Sequence, residues 1–365
     1  MDKQTYLDKC HGSWVGKVTG SNFGMPFEGK SPQWMEKTYG QVVGWQQIHA
    51  DEGSVINDDE QFELVAILAC EDHGYENLSV DLLADYWKKH LNPNYLFTAE
   101  KTVYENWEQG ISPSEAASPE HNPWWDFIGG QMKGELFGQL CPENFTIVQK
   151  LAQIDGQVAH RGIGVDGEIF IAMMVAQGMS STEMPTTSLL EEHIIRAMAY
   201  CTQDDLYVEL ILQVLDWFHA KPEAHKWRET FKKIEFWWRE EVLPELIETE
   251  EKTPTHPERQ EILMQCAVFP WQICHVLPNA GIIATALLYS EGDFGIALQL
   301  AAMMGYDVDC NTGNIGGILG AYYGAQSMAR YWTKFSKDEI KVAINNWKNG
   351  SLTDLAYRIE KLADY

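Results

Sequence analysis

The residues with the clearest chemistry lie in one short stretch, Gly305-Tyr306-Asp307-Val308-Asp309-Cys310-Asn311. Two carboxylates stand two positions apart. On an α-helix such positions point to nearly opposite sides, so Asp307 and Asp309 can act together only from an irregular turn. Ile315, Ile318, Leu319, Tyr322 and Tyr323 then recur with helical spacing. Gly313, Gly317, Gly320 and Gly324 form a second stripe on the same helix. Each glycine costs about 1 kcal/mol against alanine in an exposed helix, so a stripe of four implies tight packing. An acidic turn leading into a rigidly packed helix is a means of fixing a metal ion.

A second acidic entrance is Asn57-Asp58-Asp59-Glu60, followed by Phe62, Val65, Ala66 and Ala69 at helical spacing. Taken alone, helix capping accounts for it, because acids in a first turn favour the helix dipole. Thr202-Gln203-Asp204-Asp205 reads as a capping box and is assigned to structure. Glu28 stands among turn formers and apolar residues, where a carboxylate calls for a partner. His160 lies in a glycine-rich turn, and a local hydrogen bond explains it as well as catalysis does. Nucleophile-elbow, phosphate-loop, HExxH and dinucleotide fingerprints are missing.

The elements that must position these groups are helices. A first helix over about 6–23 carries Gly12, Gly16, Gly20 and Gly24. Its bare face is expected against the helix after Asp309, with Gly16 near Gly317. Residues 31–56 read as a loop with extended pieces at 41–47 and 55–56, and 110–126 as a loop containing Trp124 and Trp125. Further helices are expected near 78–92, 128–140, 143–159, 166–178, 189–200, 205–219, 224–242, 277–289, 293–304, 327–332, 336–348 and 351–363. Residues 243–259 read as a surface connection. No strand-turn-strand alternation occurs, so the chain is expected to be all-α, a single domain over 1–365.

Composition narrows the partners. The 365 residues carry 27 Lys and Arg against 53 Asp and Glu, a formal charge of −26. Such a surface repels a phosphate backbone, which argues against nucleic acid. No run of 18 apolar residues exists, so no membrane span is expected. The seven cysteines are widely spaced without a CxxC, and the first residues lack the apolar core of a signal peptide. Both point to reduced thiols in a cytoplasmic protein. Neither the charge nor the pattern fixes an oligomeric state.

Read together, the parts resemble the ADP-ribosylglycohydrolase family, including the dinitrogenase-reductase-activating glycohydrolases. The similarity runs from about Gly12 to Trp332. Its most specific part spans Asp293-Phe294, Asp307-Val308-Asp309-Cys310-Asn311 and Gly320-Ala321-Tyr322-Tyr323-Gly324. Gly162-Ile163-Gly164-Val165-Asp166-Gly167-Glu168 looks like the family's central glycine-rich loop. The resemblance implies an all-α fold with a binuclear magnesium site. Asp58, Asp59, Asp307 and Asp309 would be ligands of two Mg²⁺, with Mn²⁺ an alternative. Glu28 matches a carboxylate that is a ligand or catalytic group in some members. Glu28, Asp58 or Asp309 would then act as general base in glycoside hydrolysis.

Two positions depart from the family pattern. Asn57 stands where the motif has Thr; its amide oxygen remains a competent ligand. Cys310 stands where Thr or Ser is usual, and sulfur matches Mg²⁺ poorly. Either Asn311 replaces it or only one metal site is tight. The Asp-x-Asp-Cys-Asn form resembles a bacterial subgroup. Small-molecule or ADP-ribosylated substrates are implied, with Gly162, Ile163, Gly164 and Val165 binding phosphate or sugar oxygens and Trp124 and Trp125 stacking. The same metal site acting on another glycoside, and a non-catalytic binding protein, stay open.

Overall fold

The structure is a computed structural model. It describes residues 1–40, 56–268, 274–333, 336–345, 347 and 350–365. In chain order the helices are α1 (Lys3–Gly24), α2 (Pro32–Tyr39), α3 (Asp59–His73), α4 (Val80–His90), α5 (Thr98–Glu108), α6 (Pro113–Ala116), α7 (Glu135–Leu140), α8 (Phe145–Gly156), α9 (Ile163–Ser180) and α10 (Thr187–Met198). They continue as α11 (Asp205–Ala220), α12 (Trp227–Phe236), α13 (Leu243–Lys252), α14 (Arg259–Gln265), α15 (Val276–Tyr289), α16 (Phe294–Met304), α17 (Val308–Tyr323), α18 (Arg330–Thr333) and α19 (Leu352–Glu360). Among the described residues, β-pairing is limited to isolated bridges, so the expected all-α class holds.

At the centre, α1 runs antiparallel along α17. A Cβ on Gly16 would lie 2.0 Å from the Gly316 carbonyl oxygen, one on Gly12 2.5 Å from that of Gly320, and one on Gly20 2.0 Å from that of Thr312. The expected pairing of bare faces is present, with one position corrected. Of the expected stripe, Gly313, Gly320 and Gly324 lie against Ser21, Gly12 and Asp8 of α1, whereas Gly317 turns to Glu135 and Gly316 takes its place against Gly16. Ser13 Oγ donates to the Gly317 carbonyl at 2.9 Å and Thr312 Oγ1 to that of Gly20 at 2.8 Å, tying the backbones together. Around this pair, α9, α15 and α16 are buried on nearly all sides.

This packing makes a signed prediction. Alanine at Gly16 gains about 1 kcal/mol of helix propensity. The carbonyl contact forbids a Cβ, and overpacking of this kind costs about 1–3 kcal/mol or more. Gly16→Ala should therefore lower the unfolding midpoint in a denaturant titration; a raised midpoint would disprove the close approach.

Several expectations are corrected. α2 occupies 32–39 where a loop was expected, entered through Ser31, whose hydroxyl accepts from the Trp34 amide. The extended piece at 41–47 lies outside the described residues, as does Val55, and Ile56 is irregular. The 128–140 segment is interrupted: a short 3-10 turn precedes α7, with Gly130 and Gly134 pressed against α9 carbonyls. α12 passes through a π-helical turn, Trp237–Val242, straight into α13, so the surface connection expected at 243–259 is largely helix. Among the described residues, the helix expected at 336–348 is not found. Bridges Ile340–Gly350 and Leu91–Ile344 occupy that stretch. At the capping-box segment the N-cap is Asp204, not Thr202.

Candidate metal centre

Two helix starts meet at one point. Asp59 opens α3, and Asp309 sits in the first turn of α17. Asp58 occupies the N-cap position of α3 yet makes no capping hydrogen bond with its side chain. The capping explanation therefore fails for the residue best placed to provide it. Instead Asn57 Oδ1 accepts weakly from the Asp59 amide at 3.4 Å, while Asn57 Nδ2 donates to Asp309 Oδ2 at 3.3 Å.

Asp59, Asp309 and Cys310 each present a ligand atom, all within 4.8 Å of one another. Asp59, Asp307 and Asp309 are buried. Asp58 is half-buried, and Glu28 is exposed at the rim. Burial, with Asp309 and Asp58 next, pushes the Asp59 carboxyl well above its ordinary range. The same causes act on the others: burial and Asp309 raise Asp307, and burial and Asp58 push Asp309 up to about 6. Asp58 rises to about 7, mainly through burial, with Glu28 adding to it. The Glu28 carboxyl, hemmed in by protein although the residue is exposed, also rises to about 7, with Asp309 contributing. Five carboxylates sense one another here, and without a cation the protein must hold protons to tolerate them.

The atoms fit a hard divalent cation. Asp59 Oδ2 and Asp309 Oδ1 are buried and have no hydrogen-bond partner. Buried carboxylate oxygens are seldom left unpaired, because desolvation then goes uncompensated. The third atom is less suited. Cys310 Sγ donates to Asp59 Oδ1 at 3.2 Å, and burial with the Asp307 charge holds the thiol well above its ordinary range. In the metal-free protein this favours a protonated donor over a thiolate, and all seven cysteines are free of disulfides. Cys310→Ser, which substitutes a hard oxygen, should keep or raise both metal content and turnover. Loss of turnover with metal content intact would give Cys310 a chemical role.

Two supports beneath the acids were not foreseen. Lys17 is buried in α1 and bonds Glu63 at 2.9 Å, Glu135 at 2.7 Å and the Met132 carbonyl at 2.6 Å. Its charge also interacts with Glu60 and Asp59. The signal was available: a lysine inside a glycine-striped helix has no exposed face to occupy. On the other side, Asn279 Oδ1 accepts from the Asp307 amide at 3.2 Å and from Asn311 Nδ2 at 2.7 Å. Asn311 is thus engaged with Asn279, while its own Oδ1 has no hydrogen bond.

The remaining site candidates form a neighbouring wall. Gly162 lies under the Trp125 ring, where a Cβ would approach it to 3.0 Å, and Gly164 lies 2.6 Å by the same measure from the Trp125 carbonyl. The amides of Gly164 and Val165 donate to the carbonyls of Arg161 and Gly162. Ile163 and Val165 are buried. Those two amides are therefore already committed within the turn. Trp124 packs edge-on against Phe127, and the Arg259 guanidinium stands over Trp125. Ile128, three residues after Trp125, donates to the Cys274 carbonyl, and Cys274 senses Asp307 and Glu28. The His160 side chain does not make the local hydrogen bond. It is fully buried, with Nε2 3.4 Å from Glu100 Oε1, and burial and Lys133 keep it neutral.

Comparisons with known proteins give the fold and the family. No curated protein matches the chain by sequence. A solved structure titled "ADP-ribosylglycohydrolase-related protein complex" is similar over 99% of this chain and 100% of its own, with a TM-score of 0.55 and 12% identity. At that identity the likeness establishes the fold. The family model for ADP-ribosylglycohydrolase matches residues 2–361. With nearly the whole length matched, the chain belongs to the ADP-ribosylglycohydrolase family.

Proposed function

We propose that this protein is a divalent-metal-dependent glycohydrolase acting on ADP-ribosyl or related ribosyl glycosides. The observation that carries the proposal is the pair of unpartnered buried oxygens, Asp59 Oδ2 and Asp309 Oδ1, at the meeting of two helix starts. Asp59, Asp307 and Asp309 would hold the metal, with Asp58 completing the set toward solvent. Mg²⁺ fits this oxygen set, and two ions about 3.5–4 Å apart are the arrangement such carboxylate clusters support. When bound, the metal supplies a clamp for the sugar cis-hydroxyls and a lowered pKa for water. Mn²⁺ is the natural substitute.

The chain's own residues do the rest. Glu28, exposed at the rim and raised to about 7, is placed to exchange a proton near neutral pH. Asp58 and Asp309, raised to about 7 and about 6 in the metal-free protein, become committed anions once a cation neutralises them, which leaves Glu28 as the general base. Trp124 and Trp125 form the adjoining wall for the sugar or base. Gly162 and Ile163 keep the backbone nearest to it, since the Gly164 and Val165 amides are spent. In this proposal the protein acts as one domain, and its seven free thiols support a reducing, cytoplasmic setting.

Turnover of a panel of ADP-ribosylated and simple glycosidic substrates, with and without Mg²⁺, tests the reading. Mg²⁺-dependent release of ADP-ribose or a ribosyl sugar is expected. Turnover of other glycosides only would move the substrate class, and no turnover with tight ligand binding would leave a binding protein.

A further inference from the structure

The link between α16 and α17 is three residues long, and two of them are left-handed: Gly305 (φ 73) and Tyr306 (φ 67). Gly305 is suited to this, and its missing side chain leaves room for the Lys30 carbonyl, 2.7 Å from where a Cβ would stand. The segment just after Glu28 is thereby pinned to the segment just before Asp307. Tyr306 is not suited to it. A left-handed backbone is strained for any residue with a Cβ, and an aromatic one there is a true outlier. Such strain persists only where the surroundings over-determine it.

The surroundings here are a socket. Tyr306 is 1% exposed, and its ring meets Phe231 of α12 edge-on, with centroids 6.2 Å apart at 88°. Its hydroxyl is buried with no hydrogen-bond partner. The ring, not the hydroxyl, is therefore what the fold retains. The next residue is Asp307, whose amide is held from the opposite side by Asn279. We infer that Tyr306 is a positioning residue: its ring, seated against Phe231, locks the left-handed turn that aims Asp307 and Asp309 at the metal. This rests on the metal-centre reading above and adds a residue that touches neither metal nor substrate.

The test compares Tyr306→Phe, Tyr306→Gly and Phe231→Ala in the full-length chain. The readouts are the metal-free unfolding temperature and the Mg²⁺ concentration giving half of the Mg²⁺-induced thermal shift. Tyr306→Phe keeps the ring and removes the unpartnered hydroxyl, so both readouts should match wild type or improve. Tyr306→Gly relieves the backbone strain but removes the anchor. Its half-maximal Mg²⁺ concentration should rise tenfold or more, and Phe231→Ala, which leaves the turn's sequence intact, should move the same way. A purely packing role would lower the metal-free temperature of both variants and leave the half-maximal concentration unchanged; that result overturns the inference. A wild-type protein with no Mg²⁺-induced shift overturns the metal reading and this inference together, and is recognised before any variant is compared.

Discussion

Asp309→Asn should abolish turnover while leaving the metal-free protein as stable as wild type, or more so. Outer-shell changes at metal sites typically cost about 10–100-fold in affinity or activity. Loss of a carboxylate proposed to ligate the metal directly should exceed about 100-fold in kcat. The stability half follows from the raised pKa values. Asp58 and Asp309 titrate at about 7 and about 6 in the metal-free fold, above their unfolded values near 4. Between those limits the folded state binds more protons than the unfolded one, so stability falls as pH rises from about 4 to about 7. Above about 7 the contribution of these two groups is complete. Asparagine removes one of the charges, so the variant should lose less stability over that range. Mg²⁺ should stabilise wild type most at the alkaline end and the variant little. Paired urea titrations at pH 5 and pH 8, with and without Mg²⁺, check each part. A variant that is less stable than wild type at pH 8 without metal would contradict the electrostatic account.

Lys17→Met should be among the most damaging substitutions for the fold. Glu63 and Glu135 are 1% exposed or less, and Lys17 is the cation both share. Burial, with Glu135 adding to it, raises Glu63 to about 8 even with Lys17 present. Breaking a buried pair by removing one partner typically costs about 3–5 kcal/mol, because the remaining charge is stranded. Here two carboxylates are stranded at once. A drop of at least that size is expected in denaturant unfolding. Adding Glu135→Gln should recover part of it, since Gln needs no counter-ion. A loss below about 1 kcal/mol would show that the carboxylates simply take up protons.

The acidic entrances were legible because their chemistry is local. Asp58-Asp59 and Asp307-x-Asp309 each sit where a helical pattern starts, whereas their convergence is tertiary: it brings the start of α3, not a glycine-striped helix, against the start of α17. Within the stripe one position was misread: Gly316, not Gly317, meets Gly16, since the two are equally small and only the partner backbone distinguishes them. What stayed hidden depends on distant parts of the chain. Lys17 is paired from α3 and α7, Tyr306 is seated by α12, and Asn279 reaches Asp307 from α15; none of these pairings leaves a local pattern. α5 was missed because Thr98–Glu108 has few apolar residues to set a period, and α2 because eight residues between Pro and Gly read as a loop. The helix expected at 336–348 had suitable spacing but pairs with Leu91 and Gly350 instead, a tertiary outcome.

The central claim is that the carboxylates of Asp59 and Asp309 share a divalent cation. Crystals grown with Mn²⁺ and measured at the manganese absorption edge test it most directly. The account predicts an anomalous peak within about 2.0–2.6 Å of one oxygen from each residue, vanishing in Asp309→Asn. An empty site between them, in a protein that turns over its substrate fully in excess EDTA, would contradict it.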